Sequence, residues 1–137
     1  MDRLAVEESV RSLFNRMEVT RADKTRLRVG DSGATHEYDL YETGKIIGGI
    51  TTSPWKNSTG TNNSGGQDRA STELLWLTLW SGAERRVMVF TDLSMANNIT
   101  KRWGGCPFPH RIDILHCELA QNQIHVIGTL GTRESAR

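Results

Sequence analysis

Residues 36–53 read HEYDLYETGKIIGGITTS, and the layout of this stretch decides the fold. Positions 36–41 alternate with the two-residue period of a strand, Thr43-Gly44 punctuates a tight hairpin, and 45–52 is the returning strand. Gly48-Gly49 falls inside that return. Adjacent glycines weaken a strand and mark a bulge or the close approach of another backbone or a ligand. Just upstream, 26–29 alternates again and Gly30-Asp31-Ser32-Gly33 turns the chain, so a third strand precedes the hairpin.

Working outward, Val6, Val10, Leu13, Phe14 and Met17 recur at helical spacing and predict an amphipathic first helix, with Arg3, Glu7, Arg11 and Glu18 mostly off its apolar stripe. After the hairpin, 53–67 (SPWKNSTGTNNSGGQ) is polar and holds one Trp. A structureless loop of about 15 residues is uncommon in a compact domain and is usually functional or mobile. Its 56–66 portion, poor in apolar anchors, is expected to be the least ordered internal segment. Asp68 is placed to cap a helix over 69–80. The apolar set there, Leu74, Leu75, Trp76, Leu77, Leu79 and Trp80, is dense enough to predict burial on most sides. Positions 86–90 form a nearly continuous apolar strand, which suits the interior of a sheet covered on both faces. Thr91-Asp92 caps a further helix carrying Met95, Ile99 and Trp103, stopped by Gly104-Gly105. Strands over 112–119 and 124–127 complete the pattern. The expectation is one α/β domain over 1–131, a central mixed sheet with flanking helices, followed by a frayed tail over 132–137.

The 137-residue length agrees with one domain, and 36% hydrophobic with 24% charged residues lies well short of the disordered regime. Seventeen Lys+Arg against sixteen Asp+Glu give a net charge of +1, which excludes nucleic-acid binding by bulk charge. A nucleic-acid surface would need local clustering, for which Arg85, Arg86, Lys101, Arg102 and Arg111 are the candidates, with Trp55 and Trp103 available for stacking. The plainer account is that these cations solvate strand and helix ends. Two cysteines are too few for a disulfide scaffold, the first residues lack an apolar signal-peptide core, and no apolar run reaches the ~20 residues a membrane helix needs. A reduced, cytoplasmic protein without a membrane partner is expected. Cys106, His110, His116 and Cys117 invite a zinc reading, but adjacent positions on a strand point to opposite faces. Gly60 and Gly65 imitate a phosphate loop ahead of a helix, yet Gly66-Gln67 replaces its Lys-Ser/Thr pair. What that loop retains is a set of backbone amides able to face a phosphate.

The order helix, three strands, helix, strand, helix, two strands resembles the restriction-endonuclease-like PD-(D/E)XK nuclease superfamily over roughly residues 1–118. The segments carrying the resemblance are 36–53 and RRVMVFTDLSMA at 85–96. It implies an acid on the second strand, a (D/E)-x-K motif across the hairpin on the third, Mg²⁺ held by the acids, and a Lys assisting the attacking water. Asp39 takes the place of the strand-two acid and would be the metal ligand. The (D/E)-x-K position falls on Gly49-Ile50-Thr51, which has neither acid nor amine. The resemblance therefore implies a nucleic-acid-associated nuclease-fold protein without efficient cleavage, and negligible Mg²⁺-dependent cleavage of plain double-stranded DNA is expected. An active Mg²⁺-dependent nuclease would need displaced residues. Glu37, on the same strand face as Asp39 about 7 Å away, or Glu73 on the following helix could supply the second acid, and Lys45 or Lys56 the amine. The plainer account of Glu37 and Asp39 is a solvated outer strand face. A non-catalytic binding or oligomerisation module, for instance a homodimer, is the remaining alternative.

Overall fold

The computed structural model describes residues 2–131. In chain order it contains α1 (Arg3–Glu18), β1 (Asp23–Arg28), β2 (Thr35–Glu42), β3 (Ile46–Thr51), α2 (Ser64–Leu79), β4 (Arg85–Phe90), α3 (Leu93–Trp103), β5 (Ile112–Glu118) and β6 (Gln123–Leu130), with a short 3₁₀ turn at Leu119–Gln121. The six strands form one mixed sheet in the order β1-β2-β3-β4-β5-β6. β1, β2 and β3 are an antiparallel meander, β3, β4 and β5 run parallel, and β6 returns antiparallel to β5.

The connectivity fixes the layers. Both parallel crossovers step across the sheet in the same direction, so one handedness of connection puts α2 and α3 on the same face. α1 covers the other. Val10, Leu13 and Phe14 of α1 pack with Leu40, Val87 and Val89. On the opposite face Leu74, Leu77 and Ile99 pack with Tyr38, Ile47 and Met88. Residues 87–90 alternate between these two cores and all four are fully buried, which is why β4 reads as an unbroken apolar run. β3 and β5 flank it, so the hairpin and this strand share one sheet.

Three expectations change. α2 begins at Ser64, five residues before the start expected from Asp68, because the Asn63 side chain accepts the Gly66 N–H at 3.0 Å and caps the helix there. Gly65 and Gly66, poor helix formers, sit inside the first turn. The polar loop is correspondingly shorter and is pinned by its own backbone: Asn57 N–H donates to the Thr61 carbonyl at 2.7 Å and Asn63 N–H to the Trp55 carbonyl at 2.8 Å. Second, α2 is not buried on most sides. Ala70, Leu74 and Leu77 face the core, while Leu75 and Leu79 are 54% and 51% exposed on its outer surface, where no other element packs among the described residues. Third, β6 continues to Leu130, three residues past the expected end. Gly128 permits this, since a Cβ there would stand 2.7 Å from the Thr100 methyl of α3. The frayed tail expected over 132–137 lies outside the described residues. Among the described residues no helix is long and apolar enough to cross a membrane.

Candidate active site

β2 and β3 are paired only through Leu40↔Gly48, Tyr41↔Ile47 and Glu42↔Ile46, and beyond these they part into a fork. β2 also bulges against β1: Asp23 pairs with Tyr41 but Thr25 with Tyr38, so two steps along β1 match three along β2. The extra residue lies in the Asp39-Leu40 segment. It explains how Tyr38 enters the core under α2 while Leu40, two positions on, enters the core under α1. A bulge re-aims side chains, and Asp39 stands where the strand switches. Its Oδ2 accepts the Ile50 N–H at 2.8 Å, satisfying a β3 amide left free by the fork. The Arg11 side chain on α1 donates from Nε to the Asp39 carbonyl at 2.9 Å. Glu37 is half exposed, lies 3.9 Å from Lys24 of β1, and does not line the groove that holds Asp39.

Glu73 arrives from α2. Its Cγ and Cδ lie 3.4 Å from where a Cβ on Gly49 would stand, so the carboxyl covers the position at which a β3 acid would project. His36 Nε2 meets both Glu73 oxygens, at 2.8 and 3.0 Å. The imidazole is stacked on Trp76 (centroids 4.5 Å apart, planes 7° from parallel) and meets the Tyr38 ring edge-on at 4.7 Å. The Tyr38 hydroxyl donates to the Trp76 carbonyl at 2.7 Å. Between α1, the fork and α2 lies a groove of about 370 Å³, lined among others by Arg3, Glu7, Asp39, Thr51, Arg69 and Glu73. Arg69 donates to the Ser53 hydroxyl at 3.1 Å, and Glu7 lies 3.7 Å from Arg3 and 3.6 Å from Lys24.

Burial pushes the Asp39 carboxyl above its ordinary range, with the Ile50 N–H pulling the other way. Burial, and then the Asp39 charge, push Glu73 up to about 8. Burial, and then Arg26, hold His36 below its usual value. At neutral pH Glu73 therefore keeps its proton beside a neutral imidazole.

Among the described residues no three His, Cys, Asp or Glu side chains come together as a metal-binding group. A zinc site, which needs three or four protein ligands, does not fit. Mg²⁺ takes one or two carboxylates and keeps several waters. Two carboxyls lining one groove, Asp39 and Glu73, suit the donor set of that cation.

The expected amines are elsewhere. Lys56 Nζ donates to Asn62 at 2.7 Å within the polar loop, and Lys45 lies 3.6 Å from Glu42 at the hairpin turn, at the opposite end of β3 from the fork. The cations in the groove are Arg3 and Arg69. Nor do Arg85, Arg86, Lys101, Arg102 and Arg111 reach it, because they lie at the starts of β4 and β5 and in the last turn of α3. Arg86 is buried, donating from Nε to the Leu77 carbonyl at 2.8 Å and from its other nitrogens to the carbonyls of Trp80, Gly82 and Glu84. Arg85 is held by Asp113 at 2.8 Å and Glu18 at 2.7 Å, and Arg111 by Asp113 at 2.9 Å. Arg102 lies over the Trp103 ring at 5.3 Å.

Arg3, Glu7 and Arg69 of the groove, and His36 on the Glu73 carboxyl, escape a reading of the sequence for this site. The first two left a signal, a charged pair four apart and off the apolar stripe of α1. Comparison with known family models, with curated proteins and with solved structures finds no match for this chain.

Proposed function

We propose that this chain is a Mg²⁺-dependent phosphodiesterase of the nuclease type in which Glu73 of α2 replaces the acid that Gly49 lacks. The observation that carries this reading is the Glu73 carboxyl lying over Gly49 in the same groove as Asp39. The element order, with β3 parallel to β4 and α2 between them, supports a restriction-endonuclease-like core. Asp39 and Glu73 would hold the cation, which when bound activates water and offsets charge on the phosphate. Ile50 N–H orients Asp39, and Arg3 and Arg69 bind the phosphodiester on either side of the acids. Thr51, at the position of the family Lys, cannot supply a positive charge, and an Arg cannot be deprotonated to act as a base. Cleavage is accordingly slow, and nucleic acid is the partner.

The test is cleavage of labelled single- and double-stranded DNA and RNA with Mg²⁺ or Mn²⁺. The expected result is measurable wild-type cleavage that falls by about 10²-fold or more in Asp39→Asn and in Glu73→Gln. Absence of wild-type cleavage on all four substrates, or cleavage undiminished in Asp39→Asn, overturns the proposal.

A further inference from the structure

We infer that His36 is a positioning residue that holds the Glu73 carboxyl over Gly49 and toward Asp39. The inference rests on the reading of Asp39 and Glu73 as a cation site. It concerns what makes a helix-borne acid usable in place of a strand-borne one.

An acid on β3 would be aimed by the sheet itself. Glu73 projects from α2 on a long side chain whose rotamer freedom must be given up to aim it. Gly49, beneath it, offers no side chain to lean on. Among the described residues the hydrogen-bonding group on both Glu73 oxygens is His36 Nε2. His36 in turn has no freedom to wander. One face of its ring lies flat on Trp76, which is three residues beyond Glu73 on the same helix, and the Tyr38 ring closes in from the side. Tyr38 is fully buried and tied through its hydroxyl to the Trp76 carbonyl. The imidazole is thus clamped by α2 and β2 with Nε2 directed at the carboxyl. Ligating carboxylates need such outer partners, and losing one costs 10–100-fold in metal affinity.

A purely structural role fits these contacts poorly. β2 and α2 are already joined by the Tyr38–Trp76 hydrogen bond and by the apolar core of Tyr38, Leu74 and Leu77. The His36 and Glu73 side chains are 18% and 20% exposed, at the edge of the core rather than within it.

The experiment is Mn²⁺ titration of the full chain by calorimetry, with cleavage measured in parallel. The proteins are wild type, Glu73→Gln, His36→Phe, His36→Asn and His36→Gln. Phe keeps the stack and loses the hydrogen bond, Asn keeps an amide but falls one methylene short, and Gln reaches. His36→Phe and His36→Asn are expected to weaken Mn²⁺ binding about 10–100-fold, His36→Gln to retain it, and excess Mn²⁺ to restore cleavage by His36→Asn but not by Glu73→Gln. Asn and Gln differ only in reach, so a structural role would not separate them, and His36→Asn carries the test if His36→Phe does not fold. Wild-type affinity in His36→Asn, with Glu73→Gln impaired, overturns the inference while leaving the cation site intact. A wild type that binds no Mn²⁺, or a Glu73→Gln protein that binds it normally, overturns the site itself.

Discussion

Glu73 holds its proton to about pH 8 in the folded chain, against 4.5 as an ordinary carboxyl, so between those values the folded state binds more protons than the unfolded one. Stability must then fall as pH rises through that window. His36 acts oppositely, because its folded value lies below 6.5 and its slope ends there. From about pH 6.5 to 8 the opposing His36 slope has ended and the Glu73 slope remains. Thermal melts are expected to show a wild-type Tm that declines across this interval and a Glu73→Gln Tm that does not; parallel curves would mean that Glu73 is ionised in the folded chain. The same proton competes with a cation. Mn²⁺ affinity is expected to rise about tenfold per pH unit up to pH 8 and then level off, as calorimetry at several pH values would register. At this scale Asp39 and Glu73 were legible, as an acid in a hairpin strand and an acid on the next helix. His36 was not, because the contact that gives it meaning needs the positions of two rings, Trp76 and Tyr38, from two different elements. The bulge at Asp39-Leu40 was hidden for a related reason: an alternating sequence carries no mark of where one residue steps out of the ladder.

The two glycines of β3 do different work on its two faces, and the difference is testable. A Cβ on Gly48 would lie 2.5 Å from the carbonyl oxygen of Val87 and 2.6 Å from its side chain, both on the neighbouring β4. That contact is with backbone and cannot be relieved by a rotamer change. A Cβ on Gly49 would meet Met88 Sδ at 3.3 Å and Glu73 at 3.4 Å, which are side chains able to give. Gly48→Ala is expected to destabilise by about 1–3 kcal/mol by denaturant unfolding. Gly49→Ala is expected to cost less stability and to lose more Mn²⁺ affinity, since what it displaces is the acid. Equal loss of stability in both variants, with metal binding unchanged in Gly49→Ala, would detach Gly49 from the site. Most elements were readable because local pattern and burial agree: the α1 stripe through Phe14, the β4 run and the Asp92 cap of α3 stand where the sequence puts them, while Met17 at the end of the stripe is 46% exposed. α2 was misjudged at its start because Gly65-Gly66 looks like loop until the Asn63 cap is seen, and in its burial because leucine density does not say which side faces a partner.

Across the molecule, the three helices all start at the groove end of the sheet. α1 begins at Arg3 on the groove and finishes with Glu18 on Arg85. α2 begins beside Ser53, through Arg69, and finishes with its last carbonyls on Arg86. α3 begins at Asp92, which holds the Trp55 N–H at 2.9 Å, and runs back toward the start of β5. None of the three carries an acid in its first turn, although Asp2 and Asp92 cap α1 and α3. Their positive dipole ends therefore gather where Arg3 and Arg69 stand, and their negative ends gather where Arg85, Arg86, Lys101, Arg102 and Arg111 stand. In the second group Arg86 is accounted for by backbone carbonyls, and Arg85 and Arg111 by Asp113 and Glu18, while Lys101 and Arg102 stand in the last turn of α3, where the helix dipole favours cations. On the proposed reading phosphate binds at the end that holds Asp39 and Glu73, where Arg3 and Arg69 stand among the groove carboxyls. Oligonucleotide binding, followed by fluorescence anisotropy at several salt concentrations, is expected to weaken in Arg3→Glu and Arg69→Glu. Each change should reduce the salt slope by about one. Lys101→Glu and Arg102→Glu are expected to leave both affinity and slope unchanged. The reverse pattern would move the phosphate-binding surface to the C-terminal turn of α3, away from the acids, and a groove that never meets a phosphate could not be the place where one is cleaved.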